Sequence, residues 1–299
     1  MSLTVTNIMS IDLEEWFVVE IFSARIDRSA WPGLPARVED MTYMILDLLE
    51  SRHVRATFFI LGWVADRYPK LIAEIKAAGH EIACHSYWHR RVDRITPDEF
   101  REDTRLALDA IERACGVRPV GYRAPSFSIN YRNTWALDIL AELGLQYDSS
   151  IFPVKHDIYG DPGAPQRLVK LRVAGGRSLY EIPASTVRVF GRNLPIAGGG
   201  YLRHSPYWYS SMMIRRLNRE GWPAVVYVHP WEFDTSQPKV DGLSARDHFR
   251  QYSSIRNFRV KFERLLDEFR FTTALEFLDR AQKRPIGFDR PSQQPSYPH

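Results

Sequence analysis

Apolar and polar positions along this chain switch repeatedly between two periods. Residues 5–13 form a continuous apolar-rich run of strand length, the pattern of a strand covered on both faces. From 37 to 52 the apolar residues Val38, Met41, Ile45, Leu48 and Leu49 recur at helical spacing, which predicts an amphipathic helix. A short apolar run at 56–61 predicts a second strand. The stripe at 63–78 predicts a helix closed by Gly79, and 81–84 predicts a third strand. Thr96-Pro97-Asp98-Glu99 is a capping box with proline at the first helical position, and its helix ends at Gly116. A strand at 120–127, a helix at 134–143 stopped by Gly144 and a strand at 145–150 continue the series. Strand and helix in alternation predict a parallel sheet wrapped by helices.

From 155 to 202 the rhythm changes. Proline and glycine thicken, β-like pieces stand at 168–173 and 178–182, and Gly198-Gly199-Gly200-Tyr201 reads as a flexible or close-approach loop. The alternation then resumes with a helix from Ser205 to about 218, a strand at 223–228, a helix at about 254–269, and a final strand and helix. The expected fold is α/β: a distorted parallel (β/α) barrel of about seven strands, spanning 1–283 as a single domain, with a mixed insertion near 155–202 on its active face. The stretch 284–299 is rich in proline and polar residues and is expected to be disordered.

Composition adds bounds. At 299 residues, 44% hydrophobic and 25% charged, the chain can bury a sizeable core. Eight Trp and fourteen Tyr serve either a rich core or a cleft with stacking surfaces for ring-bearing ligands. The net charge of +4 is scattered, without the clustering that nucleic acid requires. Cys84 and Cys115 allow one disulfide and demand none. No run approaches the roughly 20 apolar residues of a membrane span. The first eight residues lack a basic and apolar leader, which predicts a cytoplasmic protein. Oligomeric state is open, a homo-oligomer included.

The chemistry collects at strand ends. Asp12 and Glu14 close the first strand, two apart and so on one side, with Glu15 facing away. His85 ends the third strand and His89 lies in the turn after it. On a helical turn that spacing would stack the two rings, and paired imidazoles suit zinc and its neighbours; alone, the pair also fits an ordinary polar helix face. Arg123, Asp148 and His229 end further strands. Together these residues form a kit: imidazoles and a carboxylate for a divalent metal, a spare carboxylate for a base, and a separate histidine for an acid.

Five of these segments, in order, resemble the polysaccharide deacetylases, the NodB-homology or carbohydrate esterase family 4 enzymes. They are Ser10-Ile11-Asp12-Leu13-Glu14, His85-Ser86-Tyr87-Trp88-His89, Arg123-Ala124-Pro125, Asp148-Ser149 and Val226-Tyr227-Val228-His229. The likeness covers about 5–152 and returns at 223–234. The Gly198–Tyr201 and His229-Pro230-Trp231-Glu232 segments resemble the subgroup encoded near exopolysaccharide loci, which carries a C-terminal extension. The resemblance implies a metal-dependent hydrolase that removes N-acetyl groups from an amino sugar of a cell-surface polysaccharide or its precursor. It implies zinc or a similar ion on Glu14, His85 and His89, with Asp12 as base, paired to Arg123, and His229 as acid, oriented by Asp148. A backbone N–H near Ser126 or Phe127 would meet the oxyanion, and Tyr201 and Trp231 would help line the substrate groove.

Two departures stand out. Leu13 replaces the family's second aspartate and cannot bind a metal, so the carboxylate ligand falls to Glu14 or Glu15, and Glu14 shares a side with Asp12. The fourth motif lacks its tryptophan, leaving Phe152 or Trp231 as the apolar wall. Competing readings are a hydrolase of a small cyclic amide or ureide, resembling allantoinase, and a non-catalytic carbohydrate-binding relative.

Overall fold

The computed structural model describes residues 5–156 and 159–283; the segment 284–299, expected to be disordered, lies outside them. In chain order the strands are β1 (Asn7–Leu13), β2 (Thr57–Ile60), β3 (Glu81–Cys84), β4 (Gly121–Tyr122), β5 (Tyr147–Asp148), β6 (Val169–Arg172), β7 (Ser178–Glu181), β8 (Thr186–Val189), β9 (Arg192–Pro195), β10 (Val225–Val228) and β11 (Phe271–Thr272). The helices are α1 (Val38–Glu50), α2 (Gly62–Arg67), α3 (Pro69–Ala77), α4 (Pro97–Cys115), α5 (Trp135–Glu142), α6 (Gly199–His204), α7 (Tyr207–Arg219), α8 (Ala245–Tyr252), α9 (Phe258–Glu268) and α10 (Ala274–Lys283).

The sheet runs β10-β1-β2-β3-β4-β5-β7-β6, with β11 also on β1. All its pairs are parallel except β6 against β7. It curls into an open, distorted (β/α) barrel, as the alternation predicts. Every residue of β1 is buried, which is why apolar residues outnumber polar ones along it and its polar residues are few. The helices lay their apolar stripes on the sheet around Ile45, Leu49, Ile72, Leu108 and Leu140, all nearly inaccessible.

Several boundaries moved for physical reasons. The helix expected over 63–78 is two. Pro69 starts α3, and Tyr68 before it takes φ −129°, ψ 57°, because a residue preceding proline is pushed out of the helical region. The strand expected over 120–127 pairs only at Gly121–Tyr122, since Arg123 onwards turns into the site. Of the expected insertion, Ser178–Glu181 is a strand of the main sheet, with Asp148 opposite Glu181. The β8–β9 hairpin forms a small sheet of its own. Helix α8 is absent from the apolar pattern because its sequence is mostly polar; Ser244 caps it, accepting from Asp247 N–H. Both cysteines are free thiols.

Candidate metal centre and active site

The C-terminal ends of β1, β3, β4 and β10 meet at one buried point. Asp12 and Glu14 leave β1, at 2% and 3% exposure. His85 follows β3, and the segment to His89 is a loop rather than a helical turn. Ser86 and His89 there take φ of 67° and 52°, and this left-handed path swings the second ring back to the first, with centroids 5.4 Å apart. Asp103 of α4 holds the path. Its carboxylate accepts from Ser86 Oγ at 2.6 Å, Tyr87 N–H at 2.9 Å and Trp88 N–H at 3.2 Å. Nothing local in the sequence pointed to Asp103, because the contact is between separate elements.

Glu14 Oε2 stands 2.8 Å from His89 Nε2 and 3.6 Å from His85 Nε2. One ligand atom from each of Glu14, His85 and His89 lies within 4.8 Å of the others. These residues fit a divalent ion on three counts. Glu14 Oε2 is buried and faces only the two imidazole Nε2 atoms, with no other polar partner. His85 Nδ1–H donates to the Arg123 carbonyl at 2.8 Å, which fixes the tautomer and leaves Nε2 as a lone pair facing Glu14. Trp231 Nε1–H donates to Glu14 Oε1 at 2.9 Å, orienting the carboxylate. Two imidazoles and a carboxylate are also a donor set of catalytic zinc sites. Burial alone would raise Glu14, but His89, His85 and His229 hold its carboxyl well below the usual carboxylate range.

Beside this trio, Asp12 Oδ1 accepts from Arg123 Nη1 at 2.6 Å. Arg123 is 1% exposed and three of its other four donors go to Ser10 Oγ, the Ser149 carbonyl and Ser149 Oγ, so it is a rigid clamp. Asp12 Oδ2 is 3.8 Å from His229 Nε2. The opposite edge of that ring, Nδ1, meets Glu232 Oε2 at 3.0 Å, and Glu232 in turn lies 3.2 Å from Arg203 Nε. Trp231 stacks on His229, with centroids 4.9 Å apart. Burial works against a charged His229, yet Glu232, then Glu14 and Asp12, raise its pKa to about 9.

Residues 32–147 match the family model described as polysaccharide deacetylase, and 149–279 match a domain of unknown function, DUF3473. Over residues 32–147 the chain is thus similar to the polysaccharide deacetylases. A peptidoglycan-N-acetylglucosamine deacetylase of Bacillus cereus is 34% identical over 29% of this chain and 31% of its own length. A chitooligosaccharide deacetylase of Bradyrhizobium sp. is 36% identical over 32% of this chain and 42% of its own length. The matched segment thus spans less than half of either relative. Among solved structures, a candidate polysaccharide deacetylase from Mycobacterium smegmatis superposes over 95% of this chain and 94% of its own, with TM-score 0.60 and 22% identity. A carbohydrate esterase family 4 pseudoenzyme from Bacillus anthracis covers 93% of this chain and 67% of its own, with TM-score 0.50 and 15% identity. Both likenesses concern the fold.

Three expectations change. Asp148 does not orient His229. It is bonded to Ser150 Oγ and faces Glu181 across the β5–β7 ladder. Burial pushes this acid pair upward, Asp148 to about 6 and Glu181 well above its usual range. The partner of His229 is Glu232, three residues along. The signal was present: His229-Pro230-Trp231-Glu232 is a proline-started helical turn whose fourth residue reaches back to the first. Second, the Phe127 amide already donates to the Ala124 carbonyl. Of the two suggested oxyanion donors this leaves Ser126, held at φ 54°. Third, Trp231 clamps Glu14 and His229 and is more than an apolar wall. Between Glu14 and Glu15, the geometry separates the roles. Glu15 accepts the Arg37 and Val38 amides at the start of α1, while burial lifts its pKa to about 7. Leu13 is fully buried in the core.

One flank of this cluster is aromatic. Phe127, Phe152 and Tyr227 pack together, and Tyr201 meets Phe152 edge-on, its hydroxyl 3.4 Å from that of Tyr159. Gly198 and Gly199 allow close approach: a Cβ on Gly198 would sit 2.2 Å from the Tyr227 ring, and one on Gly199 2.9 Å from the same ring. Gly198 also holds φ 128°. Gly198→Ala is expected to cost roughly 3 kcal/mol, read as a lowered urea midpoint, and to cut activity by displacing Tyr227 from His229.

Proposed function

We propose that this chain is an amidohydrolase that removes N-acetyl groups from an amino sugar of a cell-surface polysaccharide or its precursor, giving acetate and a free amine. The observation that carries this reading is one buried cluster in which a His-His-carboxylate trio stands beside an arginine-clamped aspartate and a histidine with its own carboxylate partner. The named activities of the relatives, on peptidoglycan and chitooligosaccharides, support an N-acetylated saccharide as substrate. No helix among the described residues is long and apolar enough to cross a membrane.

Glu14, His85 and His89 would hold a divalent metal, zinc by donor type, supplying a Lewis acid for the acyl carbonyl. Asp12 takes the proton of the attacking water, and Arg123 fixes that carboxylate in place. The Ser126 amide donates to the oxygen that gains charge. His229 delivers a proton to the departing nitrogen, which cannot leave as an amide anion. Glu232 keeps His229 protonated at neutral pH and fixes its ring.

The pH profile tests this. The acid must be protonated, so activity is lost as pH rises through its pKa. Glu232→Gln removes the main group that raises that pKa, so the alkaline limb of kcat/KM should move down by roughly one to two pH units. An unmoved limb would place the acid elsewhere. The broader test is acetate release from N-acetylglucosamine oligosaccharides, abolished in His85→Ala.

A further inference from the structure

The β8–β9 hairpin carries a residue that stability does not explain. Val189 pairs with Arg192, so Phe190 and Gly191 form a two-residue turn, at φ 47° and 77°. Such turns take Asn, Asp or Gly at the first position, because a side chain there is strained. Phe190 accepts that strain and packs on nothing: it is 101% exposed. Strain without packing in return points to a function for the side chain.

Its surroundings are basic. Arg188 and Arg192 are exposed on either side. Below the turn, Arg188 stands with Arg167 and Arg216, which pair with Glu220 at 3.6 and 3.3 Å, and with Trp222 around a cavity of about 260 Å³. Arg216 Nη2 donates to the Arg188 carbonyl at 3.2 Å, and Tyr209 Oη donates to the Pro195 carbonyl at 3.2 Å, so α7 is tied to both strands of the hairpin. On α7, Trp208 and Met212, one turn apart, are 65% and 44% exposed. Trp222 precedes β10 and His229 follows it, so the cavity and the acyl site are roughly 20 Å apart along the strand. The basic mouth is not part of the acetyl chemistry.

We propose that this hairpin docks the protein on an anionic phospholipid surface. Phe190 enters the boundary of the acyl region, while Arg188 and Arg192 face headgroup phosphates. An aromatic tip inside a collar of arginines matches the change from hydrocarbon to charged headgroups across that boundary. A soluble polyanion would engage the arginines and leave the projecting phenyl ring in water.

The test is sedimentation of the full chain with vesicles, phosphatidylcholine alone against a mixture with phosphatidylglycerol. Binding is expected only to the anionic vesicles and should weaken with salt. Phe190→Asn should bind about tenfold more weakly while its melting temperature stays equal or rises, because Asn tolerates a positive φ. Arg188→Glu with Arg192→Glu should lose on the order of 20-fold or more. Absence of binding by the wild type at low salt, or wild-type binding by Phe190→Asn, would overturn the proposal.

Discussion

Asp12→Asn lowers kcat for N-acetyl hydrolysis by roughly 10²–10⁴ with KM little changed, the loss expected when a general base is removed. Asn is isosteric and its Oδ1 still accepts from Arg123, so position is retained and only proton capture is lost. The exchange leaves the Arg123 guanidinium, 1% exposed, without its anion, which costs roughly 3 kcal/mol of stability; rates are therefore compared well below the lowered melting temperature. His229→Ala gives a loss of similar size on the amide, but the two variants part on an activated ester. A nitrophenolate leaves without a proton, so His229→Ala keeps most of its activity on nitrophenyl acetate while Asp12→Asn does not. Equal losses on both substrates would remove the division of labour between the two residues.

The second large effect is on metal binding. Glu14→Gln keeps the shape and the bond from Trp231 Nε1, but a neutral amide is a poor ligand between two imidazoles. Divalent-ion affinity is expected to fall more than 100-fold, beyond what loss of a supporting partner costs. A thermal scan reads this without turnover. Because an ion at 100 times its Kd stabilises the folded state by about 2.7 kcal/mol, a chelator should lower the melting temperature of the wild type and leave that of Glu14→Gln unchanged. The same chelator response in both proteins would mean the ion sits elsewhere.

What could be read from the sequence follows from what is local. The barrel rhythm was legible because buried strands and amphipathic helices carry different periods. Glu14 was legible from alternation along β1, since it shares a side with Asp12. The contacts that support the site join distant segments: Asp103 to the loop at 86–88, Arg203 to Glu232, and Glu181 to Asp148. Asp148 misled because a strand-end acid looks like a partner for any nearby imidazole, and only the ladder reveals that β7 brings Glu181 against it. Glu15 is the same lesson in one residue. Its side of the strand is fixed by alternation, but what it meets there, the start of α1, depends on the packing of a helix that begins 23 residues later.

The account stands most directly on metal content and acetate release measured together, in the wild type, His89→Ala and Glu15→Gln. The prediction is one divalent ion per chain and acetate release in the wild type, loss of both in His89→Ala, and retention of both in Glu15→Gln. A wild type that carries no ion and releases no acetate, or a Glu15→Gln protein that loses both as His89→Ala does, would contradict it.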